Sequence, residues 1–225
     1  MGQKIRPDSY RLGIIKPWKS IWFFKGHFGK HLEEDEAIRN IIYKKISQGG
    51  IADITIERTQ GECRVNIKAA RPGLIIGRGG EGVNKLKAEI EKTVKNLNKN
   101  SKEKHNINLN IEELKRTNVS ANYVAQQIAW DLEKRMKFRR TIKHHLDNIL
   151  QIRGVKGAKI RVSGRLDGAE IARAEWVAKG TMPLQTLRAD IDYGTATAFT
   201  IFGTIGIKVW VNMGEVFDSS NVSNK

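Results

Sequence analysis

The feature that most restricts this chain is a glycine-rich turn, Gly77-Arg78-Gly79-Gly80-Glu81-Gly82. It lies between the apolar run Leu74-Ile75-Ile76 and a stretch whose Val83, Leu86, Ile90, Val94 and Leu97 fall on one helical stripe. The turn formally matches G-x-G-x-x-G. A dinucleotide fold requires a buried strand before that turn and an acid about 20 residues later, at the tip of the next strand. Glu103 has the distance, but it sits in the polar, Lys-rich run 98–106, which is no buried parallel strand. Only one βαβ unit is available, not the two halves of a dinucleotide sheet. A Walker phosphate loop fails as well, because Val83 and Asn84 stand where its Lys and Ser/Thr belong. What remains is a Gly-x-x-Gly turn of Gly77, Arg78, Gly79 and Gly80 joining two helices. Its glycines let backbone approach a sugar–phosphate chain, amides of the next helix face phosphate, and Arg78 adds a cation.

The surrounding pattern gives that turn its context. Glu33-Glu34-Asp35-Glu36 precedes a helical pattern over 37–46, with acids leading and lysines trailing as the helix dipole prefers, and Gly49-Gly50 stops it. Ile54 and Ile56 alternate with polar residues, Gln60-Gly61 turns, and Cys63, Val65 and Ile67 alternate again, which predicts a hairpin. Ile107, Leu109 and Ile111 predict a third strand. The order helix, strand, strand, short helix, glycine turn, helix, strand resembles a type II KH domain. The resemblance implies an RNA-binding module over 31–114, a three-stranded sheet packed by helices. A ligand-free helix–helix turn is the alternative, and charge argues against it. Lys plus Arg is 40 and Asp plus Glu is 24, a net charge of +16, which implies a polyanionic partner.

Residues 1–30 combine Lys4, Arg6, Arg11, Lys16, Lys19, Lys25 and Lys30 with Tyr10, Trp18, Trp22, Phe23, Phe24 and Phe28. Pro7, Pro17 and scattered glycines oppose a long helix. The segment is expected to be an extension that orders on RNA; the alternative is that its aromatics pin it to a core. Beyond residue 115 the periodicity predicts a helix over 117–138 and a second over 142–152. Strands follow near 158–163, 184–192 and 203–211, while 169–179 fits a short helix or an irregular strand. The expectation is an α+β chain: the KH unit, then a two-helix plus antiparallel-sheet domain over 115–218, then a short polar tail, 219–225. Between 133 and 143 lie Lys134, Arg135, Lys137, Arg139, Arg140 and Lys143, with Glu133 the only acid. Arg135, Arg139 and Lys143 share a face if one helix persists through that run. Such uncompensated like charge favours a bound anion, and nucleic acid suits it better than a solvated face.

No catalytic constellation emerges. Cys63 is the only cysteine, so there is no disulfide framework, and its strand register points inward. His27 and His31 lack a third metal ligand. Asp190 and Asp192 serve equally well as partners of nearby cations. The chain therefore reads as a non-enzyme with no cofactor, no metal and no small-molecule substrate. No apolar run reaches the ~18 residues of a spanning helix, and the start has no secretory apolar region. A cytosolic location follows as the expectation.

Longer motifs narrow this further. Met1-Gly2-Gln3-Lys4 followed by Pro7, Arg11-Leu12-Gly13-Ile14, Lys16-Pro17-Trp18, Ala70-Arg71-Pro72-Gly73, Phe138-Arg139-Arg140, Val162-Ser163-Gly164-Arg165-Leu166, Gly168-Ala169-Glu170-Ile171-Ala172-Arg173, Leu187-Arg188-Ala189-Asp190-Ile191-Asp192-Tyr193 and Gly206-Ile207-Lys208-Val209-Trp210 occur in order along nearly the whole chain. Together they resemble the bacterial small-subunit ribosomal protein three family. The resemblance implies a structural protein of the small-subunit head that binds ribosomal RNA and lines the path of incoming mRNA, on a cytoplasmic or organelle-encoded ribosome. Its neighbours would be the tenth and fourteenth small-subunit proteins. It further implies RNA contacts at the glycine turn, Lys4, Arg6, Arg11, Lys16, Arg165 and Arg173, and mRNA contacts at Arg139, Arg140 and Lys143, with Arg135 beside them. A free-standing KH-type RNA regulator or RNA-processing protein is the alternative.

Overall fold

A computed structural model describes residues 4–23, 28–46, 49–59, 62–97, 106–115 and 118–217, apart from the side chain of Arg78. The helices are α1 (Pro7–Tyr10), α2 (Phe28–Lys45), α3 (Pro72–Ile76), α4 (Glu81–Leu97), α5 (Ala121–Glu133) and α6 (Phe138–Leu150). The strands are β1 (Ser20–Trp22), β2 (Ile51–Thr59), β3 (Glu62–Ala69), β4 (Asn106–Glu113), β5 (Gly157–Gly164), β6 (Arg173–Gly180), β7 (Ala189–Thr200) and β8 (Gly203–Glu215). Two units result: residues 18–115, and residues 1–17 together with 116–225.

The first unit has the KH order. Alternation along β2 and β3 turns Ile54, Ile56, Val65 and Ile67 into the core, where they meet Ile38 and Ile42 of α2, Leu86, Ile90 and Val94 of α4, and Ile107 of β4. The sheet runs β1-β2-β3-β4, with β2 and β3 antiparallel and both outer pairings parallel. It therefore has four strands rather than the expected three. Ser20–Trp22 is too short to show alternation, and it joins the edge through register with Ile56, Glu57 and Arg58.

Helix α2 begins at Phe28, well before the position the apolar spacing suggests. The acids that resemble a solvated first turn lie inside it, and Glu34 and Asp35 are buried. Arg58, 2% exposed, lies between them: Nη1 pairs with Glu34, and Nη2 reaches Asp35 Oδ1 at 2.6 Å. Trp22 Nε1 donates to the other Asp35 oxygen at 3.1 Å.

In the second unit the sheet runs β6-β5-β8-β7, antiparallel throughout. One face is covered by α5 and α6, whose Ile128, Leu132, Ile142 and Leu146 pack against Ile160, Val162, Ile207 and Val209. The start of α5 lies hard against β7. A Cβ on Gly194 would stand 2.3 Å from the Ala121 backbone, and Ala121 N–H donates to Asp192 Oδ2 at 2.7 Å. Asp192 thus anchors a helix start and also pairs with Lys16 at 3.3 Å.

Two expectations are corrected by this arrangement. The basic, aromatic extension over 1–30 is not one RNA-ordered piece. Arg11 is fully buried and ties residues 4–17 to the second unit, whereas Ser20–Trp22 belongs to the KH sheet. The expected helix over 117–138 stops at Glu133. Residues 133–137 are all exposed, so a continued helix would have no apolar face to bury there, and Arg135 takes a left-handed φ of 62°. The ambiguous run after Gly168 ends in a strand, β6. His27 and the tail 219–225 lie outside the described residues.

Candidate nucleic-acid interface

Helix α3 ends at Gly77, and Gly77, Gly79 and Gly80 take φ of +69°, +61° and +79°, a left-handed path that favours glycine. The turn aims the chain into α4, whose first amides have no earlier carbonyl to bond. Gly82 carries the closest approach. A Cβ there would lie 2.4 Å from the Ile75 carbonyl oxygen, so only glycine lets α4 start directly against the end of α3. Sequence reasoning missed this role, treating Gly82 merely as the last glycine of a discarded motif. The Arg78 side chain lies outside the described residues.

Beside the turn, the first turns of α4, edge strand β4 and Arg64 of β3 enclose a groove of about 500 Å³ lined by Arg64, Val83, Asn84, Lys87, Asn108, Leu109 and Asn110. Its walls offer two cations, three amide side chains and the apolar Val83 and Leu109, and of the cations Arg64 is paired with Glu62 at 3.4 Å. Asn110 Nδ2 donates to Asn66 Oδ1 at 3.1 Å, which orients its amide along the sheet. Such a cleft suits an unpaired strand: phosphates at the helix start and cations, base edges at the amides. The outward alternation of Asn108 and Asn110 was visible in the sequence, but their position across from α4 was not.

The basic run folds into a turn and one face of α6. Thr141, Ile142 and His145 are buried, while Arg139, Arg140 and Lys143 are exposed. Arg139 and Lys143 are one helical turn apart. Arg135 lies in the turn before α6, so the predicted face shared by Arg135, Arg139 and Lys143 is broken between its first and second members. Arg139 is also compensated by a residue that the local sequence does not reveal. Its Nε and Nη2 both donate to Glu175 of β6 at 3.2 Å. That hydrogen bond and the attached charge raise the Arg139 pKa and lower that of Glu175. Arg173 shares the same carboxylate at 3.2 Å. Among the described residues no carboxylate pairs with Arg140, Lys143 or Arg135, so these three retain their full charge for an outside anion.

The remaining predicted contacts divide. Lys4 is exposed, and Arg6 is exposed while lying over the Tyr193 ring. Arg11 is corrected. All its guanidinium nitrogens donate within the chain, to carbonyls of Ala189, Pro7, Pro183, Leu184 and Thr186, so it holds the fold and not RNA. Lys16 is drawn in between Asp8 and Asp192. Arg165 braces the turn before β6 through the carbonyls of Ala169 and Phe202. Cys63 is buried, and burial pushes its thiol up to about 11, which suits a core residue.

Comparison with known proteins agrees with both units. The family model described as KH domain matches residues 37–118, and that described as ribosomal protein S3, C-terminal domain, matches residues 128–211. The chain is similar to proteins named small ribosomal subunit protein uS3. With that of Syntrophomonas wolfei it is 45% identical over 96% of this chain and 91% of the relative. With that of Clostridium botulinum strain Okra it is 46% identical over 100% and 98%. With that of Solibacter usitatus it is 43% identical over 100% of this chain but 62% of the relative.

Proposed function

The chain belongs to the small ribosomal subunit protein uS3 family, and on that premise we propose that it builds into the small ribosomal subunit, binds ribosomal RNA there and contacts incoming mRNA through its basic α6 face. The observation that carries the mRNA part is the chemistry of that face. Arg140 and Lys143 are without an acidic partner among the described residues, and the exposed side of α6 that holds them carries no Phe, Tyr or Trp, whereas Arg135 lies in the turn beside the exposed Phe199 and Phe202. Phe138, beside them in sequence, is buried. A surface of this kind grips phosphates without reading bases, and a message of any sequence has to pass. The KH turn and its groove supply a contact to unpaired RNA. The tenth and fourteenth small-subunit proteins are the neighbours that the family resemblance suggests.

The ribosomal reading is tested by sedimentation. The tagged protein, expressed in cells, is expected to stay with small subunits through a high-salt wash. A free-standing regulator would be released into the supernatant. The mRNA reading is tested on assembled subunits. Replacing Arg140 and Lys143 by Ala removes up to two phosphate contacts, each worth roughly 0.7 in the slope of log affinity against log salt for a single strand. The slope for mRNA should fall by about 1.4, and translation through a stable hairpin should slow more than translation of an unstructured message. An unchanged slope in a normally assembled subunit would reduce the face to a solvated one or an anchor on ribosomal RNA.

A further inference from the structure

The face of the second sheet turned away from α5 and α6 has no element packed on its centre among the described residues, and its composition is unusual. Strand register sets Lys159 of β5 beside Trp210 of β8, and Arg161 beside Trp176 of β6 on one side and Lys208 of β8 on the other. Tyr193 of β7 continues the first row next to Trp210, with ring centroids 5.4 Å apart. Around these side chains the paired strands place Ser163, Ala174, Ala178, Thr195, Thr197 and Gly206, with the exposed Phe199 further along β7, and none of these positions holds a carboxylate. At the edge beside Tyr193, Asp8 is paired with Arg6 and Lys16.

Three cations on neighbouring strands with no acid between them are an unbalanced surface. Lys159 Nζ lies 4.6 Å from the Trp176 ring centroid and 5.7 Å from that of Trp210, so both rings flank one ammonium group. Burial first, and then the like charges of Lys4 and Arg161, lower its pKa, a cost that a bound anion would relieve. Trp176 is 60% exposed, an indole left in water on a sheet with a well-filled core on its other side. Indoles that flank cations on an open antiparallel sheet supply the two things an unpaired nucleic-acid strand requires: flat rings for bases and cations for phosphates.

We propose that this open sheet face is a further RNA-binding surface, distinct from the glycine turn and the α6 face, on which unpaired bases stack on Trp176 and Trp210 while Lys159, Arg161 and Lys208 hold the phosphates. The charge pattern selects RNA over a protein partner, since a protein surface covering this face would leave the three cations without partners unless it were itself acidic. The inference rests on the nucleic-acid reading above, and the experiment separates the two.

The full chain is labelled with 5-fluorotryptophan, and its five tryptophans are assigned by single Trp→Phe variants. It is then titrated with octauridylate while fluorine spectra and, separately, total binding by anisotropy are recorded. The Trp176 and Trp210 resonances are expected to shift and saturate while that of Trp130, on α5, stays in place. The shifts should persist in Gly79→Asp, in which the glycine turn is disabled. In Arg161→Gln with Lys208→Gln, both on the exposed side and so compatible with folding, the salt slope read at Trp176 should fall by about 1.4. In Trp176→Ala the affinity read at Trp210 should fall about tenfold. Fixed Trp176 and Trp210 resonances with octauridylate bound elsewhere would overturn this surface and leave the wider reading standing. No binding at all would overturn both. Equal shifts with a poly-glutamate peptide would mark the face as a site for an acidic protein and overturn stacking on bases.

Discussion

Arg58→Leu is expected to destabilise the KH unit by about 3–5 kcal/mol, because it leaves two carboxylates buried without their cation. Glu34 and Asp35 are each 2% exposed, and Arg58 is the cation that reaches both, by a contact to Glu34 and by bonds of 2.6 and 2.7 Å to Asp35. The loss is mostly the penalty of a stranded charge, not the net value of the pair. Adding Glu34→Leu and Asp35→Asn to Arg58→Leu should therefore restore much of the stability, since Asn retains an acceptor for Trp22 Nε1. Chemical denaturation, with the unit followed by the fluorescence of Trp22, measures both variants. A wild-type midpoint for Arg58→Leu alone would show that the buried charges already have water or another cation.

The second large effect concerns Arg11→Ala, expected to destabilise the other unit by roughly 3 kcal/mol or more. The Arg11 side chain donates to carbonyls on both sides of a gap, to Pro7 in α1 and to Pro183, Leu184, Thr186 and Ala189 ahead of and within β7, at 2.5 to 3.4 Å. Each buried carbonyl left without a donor costs about 1–3 kcal/mol, and only part of that is recovered by relaxation. Arg11→Lys should rescue poorly, because one ammonium group cannot span the fan of acceptors that a planar guanidinium serves. Limited proteolysis provides the readout: cleavage within residues 4–17 should accelerate in the variant, with the thermal transition lowered in parallel. If cleavage is unchanged while affinity for ribosomal RNA falls, Arg11 is an RNA ligand after all.

Elements with strong local periodicity were legible before folding. The alternation of Ile54, Ile56, Val65 and Ile67 predicts the β2–β3 hairpin. The stripe of Leu86, Ile90 and Val94 predicts α4, and the glycines between predict the sharp turn. In each case one short stretch of sequence contains both the buried face and the solvent face. The net charge of +16 likewise points to a polyanion without any coordinates, and the basic run over 133–143 marks where the chain offers that charge.

Tertiary structure alone decided which charges stay available. Arg11, Lys16 and Arg139 read as three equivalent exposed cations, yet Arg11 is buried under carbonyls, Lys16 is held by Asp8 and Asp192, and Arg139 is shared with Glu175. Glu34 and Asp35 look like a solvated helix start and are buried on Arg58. Trp176 and Trp210, far apart in sequence, flank one lysine through strand register. The physical reason is common to all of these. Secondary structure follows from the spacing of apolar residues within one or two turns, which a linear sequence displays. The partner of a charge or a ring is set by packing between segments distant in the chain, and the spacing within either segment alone carries no record of it.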